Sequence, residues 1–277
     1  MSLTIALCNE VLRERPFPAQ CDLAAALGYD GIELAPFTLG AEPHRLSAKE
    51  RRVVRQATVD AGFAITSLHW LLVAPSGLSI TSADAAVRER TVDVMRRLID
   101  LCAELGGEVL VHGSPAQRKL WPGQQDDGRK WALDCFAAAA GRAVQAGVTY
   151  CVEALAPDET NYVNTVAEAA AIVDSIGSPA LRTMLDCCAA GQYEVESPAE
   201  LIDRWLPSGH IAHVQVNDSN RRGPGQGDDD FAPILAALRR HGYDGVIAVE
   251  PFDYHPDGAT AAARAIGYLR GIEAALP

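Results

Sequence analysis

The chain reads as a single (β/α)8 TIM barrel, a closed ring of parallel strands wrapped by helices, on three observations. Eight apolar runs of strand length, at 3–8, 30–35, 63–70, 108–113, 147–153, 181–186, 211–217 and 246–250, alternate with longer segments of helical periodicity. The length of 277 residues and hydrophobic content of 48% suit one barrel-sized core. Gly and Pro are spread among short loops rather than gathered in a linker, so one domain over 1–277 is expected. An open doubly wound sheet is the alternative architecture, but no Gly-x-Gly-x-x-Gly follows the first strand.

Between the strands, helices are expected at about 17–27, 47–61, 82–105, 126–146, 164–175, 197–205, 229–241 and 258–275. Several starts carry capping chemistry: Ser47 precedes Glu50, Thr165 precedes Glu168, and Ser82 stands ahead of the next acidic residue. The phrases Leu27-Gly28-Tyr29-Asp30-Gly31 and His241-Gly242-Tyr243-Asp244-Gly245 look alike because each ends a helix with a left-handed Gly and turns into a strand.

A formal net charge of −12 argues against nucleic acid as the main partner, since a phosphate backbone is bound through an excess of Lys and Arg. The seven Cys form no pairing pattern and lie mostly in apolar stretches, where a reduced Cys packs as a small hydrophobe, so a reducing cytoplasm is expected. Residues Met1 to Glu10 lack a basic region followed by a long apolar run, and no window approaches ~20 uninterrupted apolar residues, so neither secretion nor membrane contact is expected.

The chemistry concentrates where four strand-like runs give out. Glu153, Asp186, Gln215 and Glu250 each follow an apolar run and are spaced by roughly one strand-plus-helix unit. A barrel brings consecutive strand ends together, so these residues can surround one ion at its mouth. Singly, each has an ordinary explanation as a helix cap or the partner of a loop Arg. Together they would be a costly cluster of like charge without a cation. An all-oxygen donor set suits one divalent ion, Mn²⁺ or Mg²⁺, better than Zn²⁺. His213, two residues before Gln215, shares its face one layer deeper and reads as a buried supporting histidine. Cys187 and Cys188 lack a second pair to complete a thiolate site and read as packing residues.

Other candidates stand at the ends of earlier strands. Glu33 and His69 are expected to contact substrate, with a core-packing role for His69 left open beside it, and His112 to line the pocket. The loop Arg221-Arg222 with Gly223, Gly225 and Gly227 reads either as an anion cradle or as a plain loop whose Asp228 begins the next helix.

These segments resemble the xylose-isomerase-like TIM barrels, a group that includes ketose 3-epimerases and hydroxypyruvate isomerases. Glu153-Ala-Leu-Ala-Pro-Asp-Glu159 is similar to the fifth-strand segment, Met184-Leu185-Asp186 to the sixth, His213-Val-Gln215 with Arg221 to the seventh, and Ala248-Val-Glu250-Pro-Phe to the eighth. The resemblance implies metal ligation by Glu153, Asp186, Gln215 and Glu250 and substrate contacts by Glu159 and Arg221. It makes Glu153 and Glu250 the catalytic pair, one removing a proton beside a carbonyl and the other returning it. Two positions depart from many ketose epimerases: Gln215 stands where they have His, as in hydroxypyruvate isomerases, and Ala189 replaces a substrate-contacting His.

The implied activity is that of a metal-dependent isomerase or epimerase acting on a small ketose, keto-acid or sugar phosphate through a metal-stabilised enediolate. A metal-dependent lyase or dehydratase of a keto sugar and a non-catalytic sugar-binding protein are the alternatives. A DNA-repair endonuclease would need more His ligands and a basic face. The expected partner is a small carbohydrate or keto-acid, and a homo-oligomer, dimer or tetramer, is compatible with the chain.

Overall fold

In the computed structural model, which describes residues 2–276, the eight expected strands form and close into a parallel barrel in chain order. They are β1 (Thr4–Cys8), β2 (Gly31–Leu34), β3 (Ala64–Leu68), β4 (Val109–His112), β5 (Thr149–Val152), β6 (Leu181–Asp186), β7 (Ile211–Val216) and β8 (Val246–Val249). The helices are α1 (Phe17–Leu27), α2 (Ala48–Asp60), α3 (Ala85–Leu105), α4 (Gln125–Ala146), α5 (Val166–Ile176), α6 (Cys187–Tyr193), α7 (Pro198–Trp205), α8 (Ala232–Arg240) and α9 (Gly258–Ala275).

The expected caps form at α2, where Ser47 and Glu50 make a reciprocal capping box, and at α5, where Thr165 accepts from the Glu168 amide. At α3 the cap is Asp84, which accepts from the Ala86 amide, while Ser82 caps Asp84 itself. Gly28 ends α1 at φ 92°, the left-handed conformation that the Gly-Tyr-Asp-Gly phrase implied. One helix was not foreseen. α6 starts directly on Asp186, which accepts from the Ala189 amide at 2.7 Å, and its seven residues are too few to show an apolar period.

Burial runs in two layers. Between strands and helices lies the main apolar core, from Ile5 and Leu7 on β1 to Ile247 and Val249 on β8. Inside the barrel, Val111, Cys151 and Met184, with Val109 and Ala212 against them, form a separate plug. Side chains alternate along a strand, so two residues beyond Cys151 and Met184 the same inward row reaches Glu153 and Asp186. The barrel interior is therefore apolar below and acidic above. All seven Cys are free and buried. Among the described residues, no helix is long and apolar enough to cross a membrane.

Two register slips shape the upper layer. β3 carries an extra residue opposite β2, which sets Glu33 against Ser67, and β7 carries one opposite β6, which sets Asp186 against Gln215. The second slip lets Ala212 join the plug while His213 and Gln215 also face inward.

Candidate metal and active site

The three carboxylates expected to bind metal converge. Glu153, Asp186 and Glu250 each offer an oxygen within 4.8 Å of the others, and all three are buried. Each is held from behind. Asn217 donates to Asp186 Oδ2 at 2.8 Å, and the buried guanidinium of Arg118 donates to the main-chain oxygen of Glu153 at 2.6 Å. The Glu153 carboxylate lies against Gly113, in space that a Cβ at 113 would occupy. His69 Nδ1 lies 2.8 Å from Glu250 Oε1, and its Nε2 lies 3.0 Å from Glu10 Oε2.

Gln215 joins the same cluster. Its Nε2 donates to Glu33 Oε1 at 2.6 Å and lies 3.4 Å from His69 Nδ1, the nitrogen that touches Glu250. Its Oε1 is buried without a hydrogen-bond partner, as is Glu250 Oε2. Two orphaned acceptors beside converging carboxylates are costly unless a cation or a proton meets them.

Electrostatics point the same way. Burial pushes the Glu153 carboxyl well above its ordinary range, repulsion from Glu250 and Asp186 adds to the shift, and Arg118 opposes it. Burial raises Glu250 to about 8 despite the opposing His69 contact, and raises Asp186 to about 6 despite the bonds from Ala189 and Asn217. Burial would lower His69, but Glu10 and Glu250 outweigh it and hold the ring well above its ordinary value, so it donates from both nitrogens. Five buried carboxylates (Glu10, Glu33, Glu153, Asp186, Glu250) face Arg118 and the imidazoles of His69 and His213. Carboxylates outnumber the cationic groups in this cluster, an excess that a divalent ion would offset. The oxygen-only donor set fits Mn²⁺ or Mg²⁺.

Three residues expected to face substrate sit elsewhere. Glu33 is fully buried beneath Gln215, with Oε1 taken by Gln215 and Cys8, and Oε2 by Ser67 and by His213 Nε2 at 2.7 Å. Burial would raise its pKa, but His213, His69 and Ser67 hold the carboxyl far below the ordinary range. His69 is also fully buried, with both nitrogens committed to carboxylates. His112 packs on Phe136 and meets the Tyr150 hydroxyl at 2.7 Å, and burial with Arg118 nearby lowers it to about 3. Glu33 on β2 and His69 just past β3 point into the barrel rather than over its rim, whereas His112 on β4 points outward between the sheet and α4. His213 takes the supporting place expected of it, on Glu33.

Glu159 and Arg221 do reach the mouth. With Glu153, Asp186, Ala189 and Tyr193 they line a cavity of about 110 Å³. Arg221 Nη2 lies 3.9 Å from Glu159, and its guanidinium stacks 4.9 Å over Phe252, which stacks in turn on Trp70. The following loop is tied to itself by Asp218, which accepts from the Asn220 and Asp229 amides, and Arg222 pairs with Asp253. Its basic and amide groups are thus largely engaged, and α8 begins at Ala232 rather than at Asp228.

Sequence inspection missed Glu10, Arg118 and Asn217. Asn217 follows Gln215 by two residues on one face, a signal that alternation could have supplied. Glu10 and Arg118 lie on 3-10 turns after β1 and β4, where no period marks a side chain as buried.

A closed barrel with an acidic, metal-competent centre at the C-terminal strand ends defines the class of protein. The chain matches the family model "Xylose isomerase-like TIM barrel" over residues 21–272 and belongs to that family. It is 28% identical to a D-psicose 3-epimerase of Agrobacterium fabrum over 243 residues, covering 85% of this chain and 79% of that protein. It is 25% identical over 231 residues to an L-ribulose 3-epimerase of Methylomonas sp., covering 83% and 76%. The crystal structure of a 3-keto-D-glucoside 4-epimerase from E. coli superposes with a TM-score of 0.83 at 20% identity, covering 98% of this chain and 100% of that one. Both curated relatives are sugar 3-epimerases by name, which supports an enzymatic role for this chain.

Proposed function

We propose that this chain is a divalent-metal-dependent epimerase or isomerase of a small, unphosphorylated ketose. The observation that carries the reading is the pair Glu153 and Glu250. They are buried carboxylates from β5 and β8 whose oxygens meet across the barrel mouth and whose affinity for protons is raised by burial. A carboxylate with raised pKa is a better base toward a carbon acid, and two of them flanking one site can remove a proton and return it. When bound, Mn²⁺ or Mg²⁺ supplies Lewis-acid stabilisation of the negative charge that develops on the substrate oxygens. Glu153, Asp186, Gln215 and Glu250 would hold the ion.

The remaining residues orient and exclude. Arg221 and Glu159 present a donor and an acceptor to substrate hydroxyls at the mouth, and Phe252 shields that side from water. The cavity wall carries Glu153, Asp158, Glu159 and Asp186 against one Arg221. Even with a dication present this lining stays net negative, which favours a neutral ketose over a keto-acid or a sugar phosphate. Ala189 contributes a methyl group and its backbone to this wall, so hydroxyl recognition falls on Glu159 and Arg221.

The test is deuterium uptake from D₂O at the carbon beside the ketone, followed by NMR with Mn²⁺ and a panel of ketoses. Uptake is expected in the native chain, lost in Glu153→Gln and in Glu250→Gln, and abolished by chelator. Normal uptake in both variants would overturn the two-glutamate mechanism. An unsaturated product would redirect the reading to elimination.

A further inference from the structure

Gln215 is an unusual ligand in one respect: its two ends are nearly isosteric, but only the oxygen can face a cation. An amide left free to turn would present its Nε2 as readily, and that end repels the ion. In the structure the amide is not free. Nε2 donates to Glu33 Oε1 at 2.6 Å and lies 3.4 Å from His69 Nδ1, the nitrogen that meets Glu250, while Oε1 is buried and unpartnered. Reversing the amide would set its oxygen against a buried carboxylate. Glu33 is itself immobilised by His213, Ser67 and Cys8, at the strand position that the β2–β3 slip brings opposite Ser67.

We propose that Glu33 is the positioning residue for Gln215: its carboxylate captures the amide nitrogen and thereby aims Oε1 at the metal. The inference rests on the metal-dependent reading above. It makes positions 33 and 215 one unit, a carboxylate below and a donor-bearing ligand above. An imidazole at 215 satisfies the same rule, with one ring nitrogen on the ion and the other ring N–H on Glu33.

Direct Mn²⁺ titration, by calorimetry and by the EPR signal of unbound Mn²⁺, tests the unit without recourse to turnover. Glu33→Asp keeps the charge and loses the reach. Glu33→Gln places an amide at 33 whose oxygen is claimed by Ser67 and His213, leaving its nitrogen to turn the Gln215 amide over. Each is expected to weaken Mn²⁺ about 10–100-fold, the usual effect of losing an outer partner of a metal ligand. The double variant Glu33→Gln with Gln215→Glu exchanges the two ends, and a carboxylate at 215 has no wrong end. It is expected to recover to within about 10-fold of the native chain.

Native affinity in Glu33→Asp overturns the inference, and so does a double variant no better than Glu33→Gln alone. A role limited to packing His213 and Ser67 gives no recovery from a change at 215. Circular dichroism checks folding, and if Glu33→Gln alone fails to fold, Glu33→Asp and the double variant carry the test. A native chain that takes up no Mn²⁺ overturns the metal-dependent reading itself, whereas native binding with an indifferent Glu33 overturns only this inference.

Discussion

Arg118, on the turn after β4, donates from Nη1 to the main-chain oxygen of Glu153 at 2.6 Å, so a fully buried guanidinium sits directly behind a strand end of the acidic cluster. Its second contact, to the His112 oxygen at 3.5 Å, joins β4 to β5 at the same level. Burial lowers its pKa to about 10, which still leaves it charged at neutral pH. Replacing Arg118 with Met leaves the Glu153 oxygen without its donor and removes a counter-charge. The expected loss is about 2–3 kcal/mol of unfolding free energy, the scale for an unsatisfied buried polar group. Urea denaturation in the presence of chelator reads this directly, and an unchanged midpoint contradicts the role given to Arg118.

Gly113→Ala tests the other side of Glu153. The added Cβ falls in the space held by the Glu153 carboxylate, which must swing away from Asp186 and Glu250. Mn²⁺ affinity is expected to drop by more than about 10-fold, a loss of ~1.4 kcal/mol. Far-ultraviolet circular dichroism should stay native. Unaltered Mn²⁺ binding shows that the carboxylate has another way to reach the ion.

Metal and protons compete for the same oxygens, which fixes a pH dependence. Burial raises Asp186 from 3.8 to about 6 and Glu250 from 4.5 to about 8 in the metal-free chain. The folded state therefore keeps protons that the unfolded state has released. The stability this represents is complete below pH ~4 and is lost as pH rises through about 6 and about 8. Metal-free protein is expected to melt lower at pH 8 than at pH 5, with Mn²⁺ reversing the loss and releasing protons as it binds. Calorimetry in two buffers of different ionisation enthalpy counts those protons. A count of zero contradicts the assignment.

Arg221 separates substrate binding from metal binding. It touches Glu159 and Phe252 at the mouth and none of the metal-cluster carboxylates. Arg221→Ala is expected to raise KM by about 10-fold or more, consistent with the loss of one charged hydrogen bond. Mn²⁺ affinity should change by less than about 2-fold, a difference of ~0.4 kcal/mol. Equal losses in both would place Arg221 nearer the ion than its position at the rim implies.

Alternation of apolar runs with helical segments was enough to read all eight strands, because a strand buried on both faces and the period of a covering helix are written locally. The same logic found Glu153, Asp186 and Glu250, since a carboxylate ending an apolar run is visible in one dimension. α6 was not legible, as its seven residues depend on Asp186 for their start.

Which way a side chain points at a strand end belongs to the tertiary structure. Glu33, His69 and Glu159 looked alike in the sequence as polar residues at or just beyond strand ends. Closure of the barrel and the slip between β2 and β3 turned Glu33 under Gln215, and His69 was caught between Glu10 and Glu250. Glu159, six residues past Glu153 on a loop, was left at the mouth. The sequence by itself determined the barrel and the acidic residues at its rim, because apolar periodicity and residue type need no partner to be seen. Only the fold decided which polar groups face the cavity and which brace those that do, because that division depends on pairings between residues as far apart in the chain as Glu33 and Gln215.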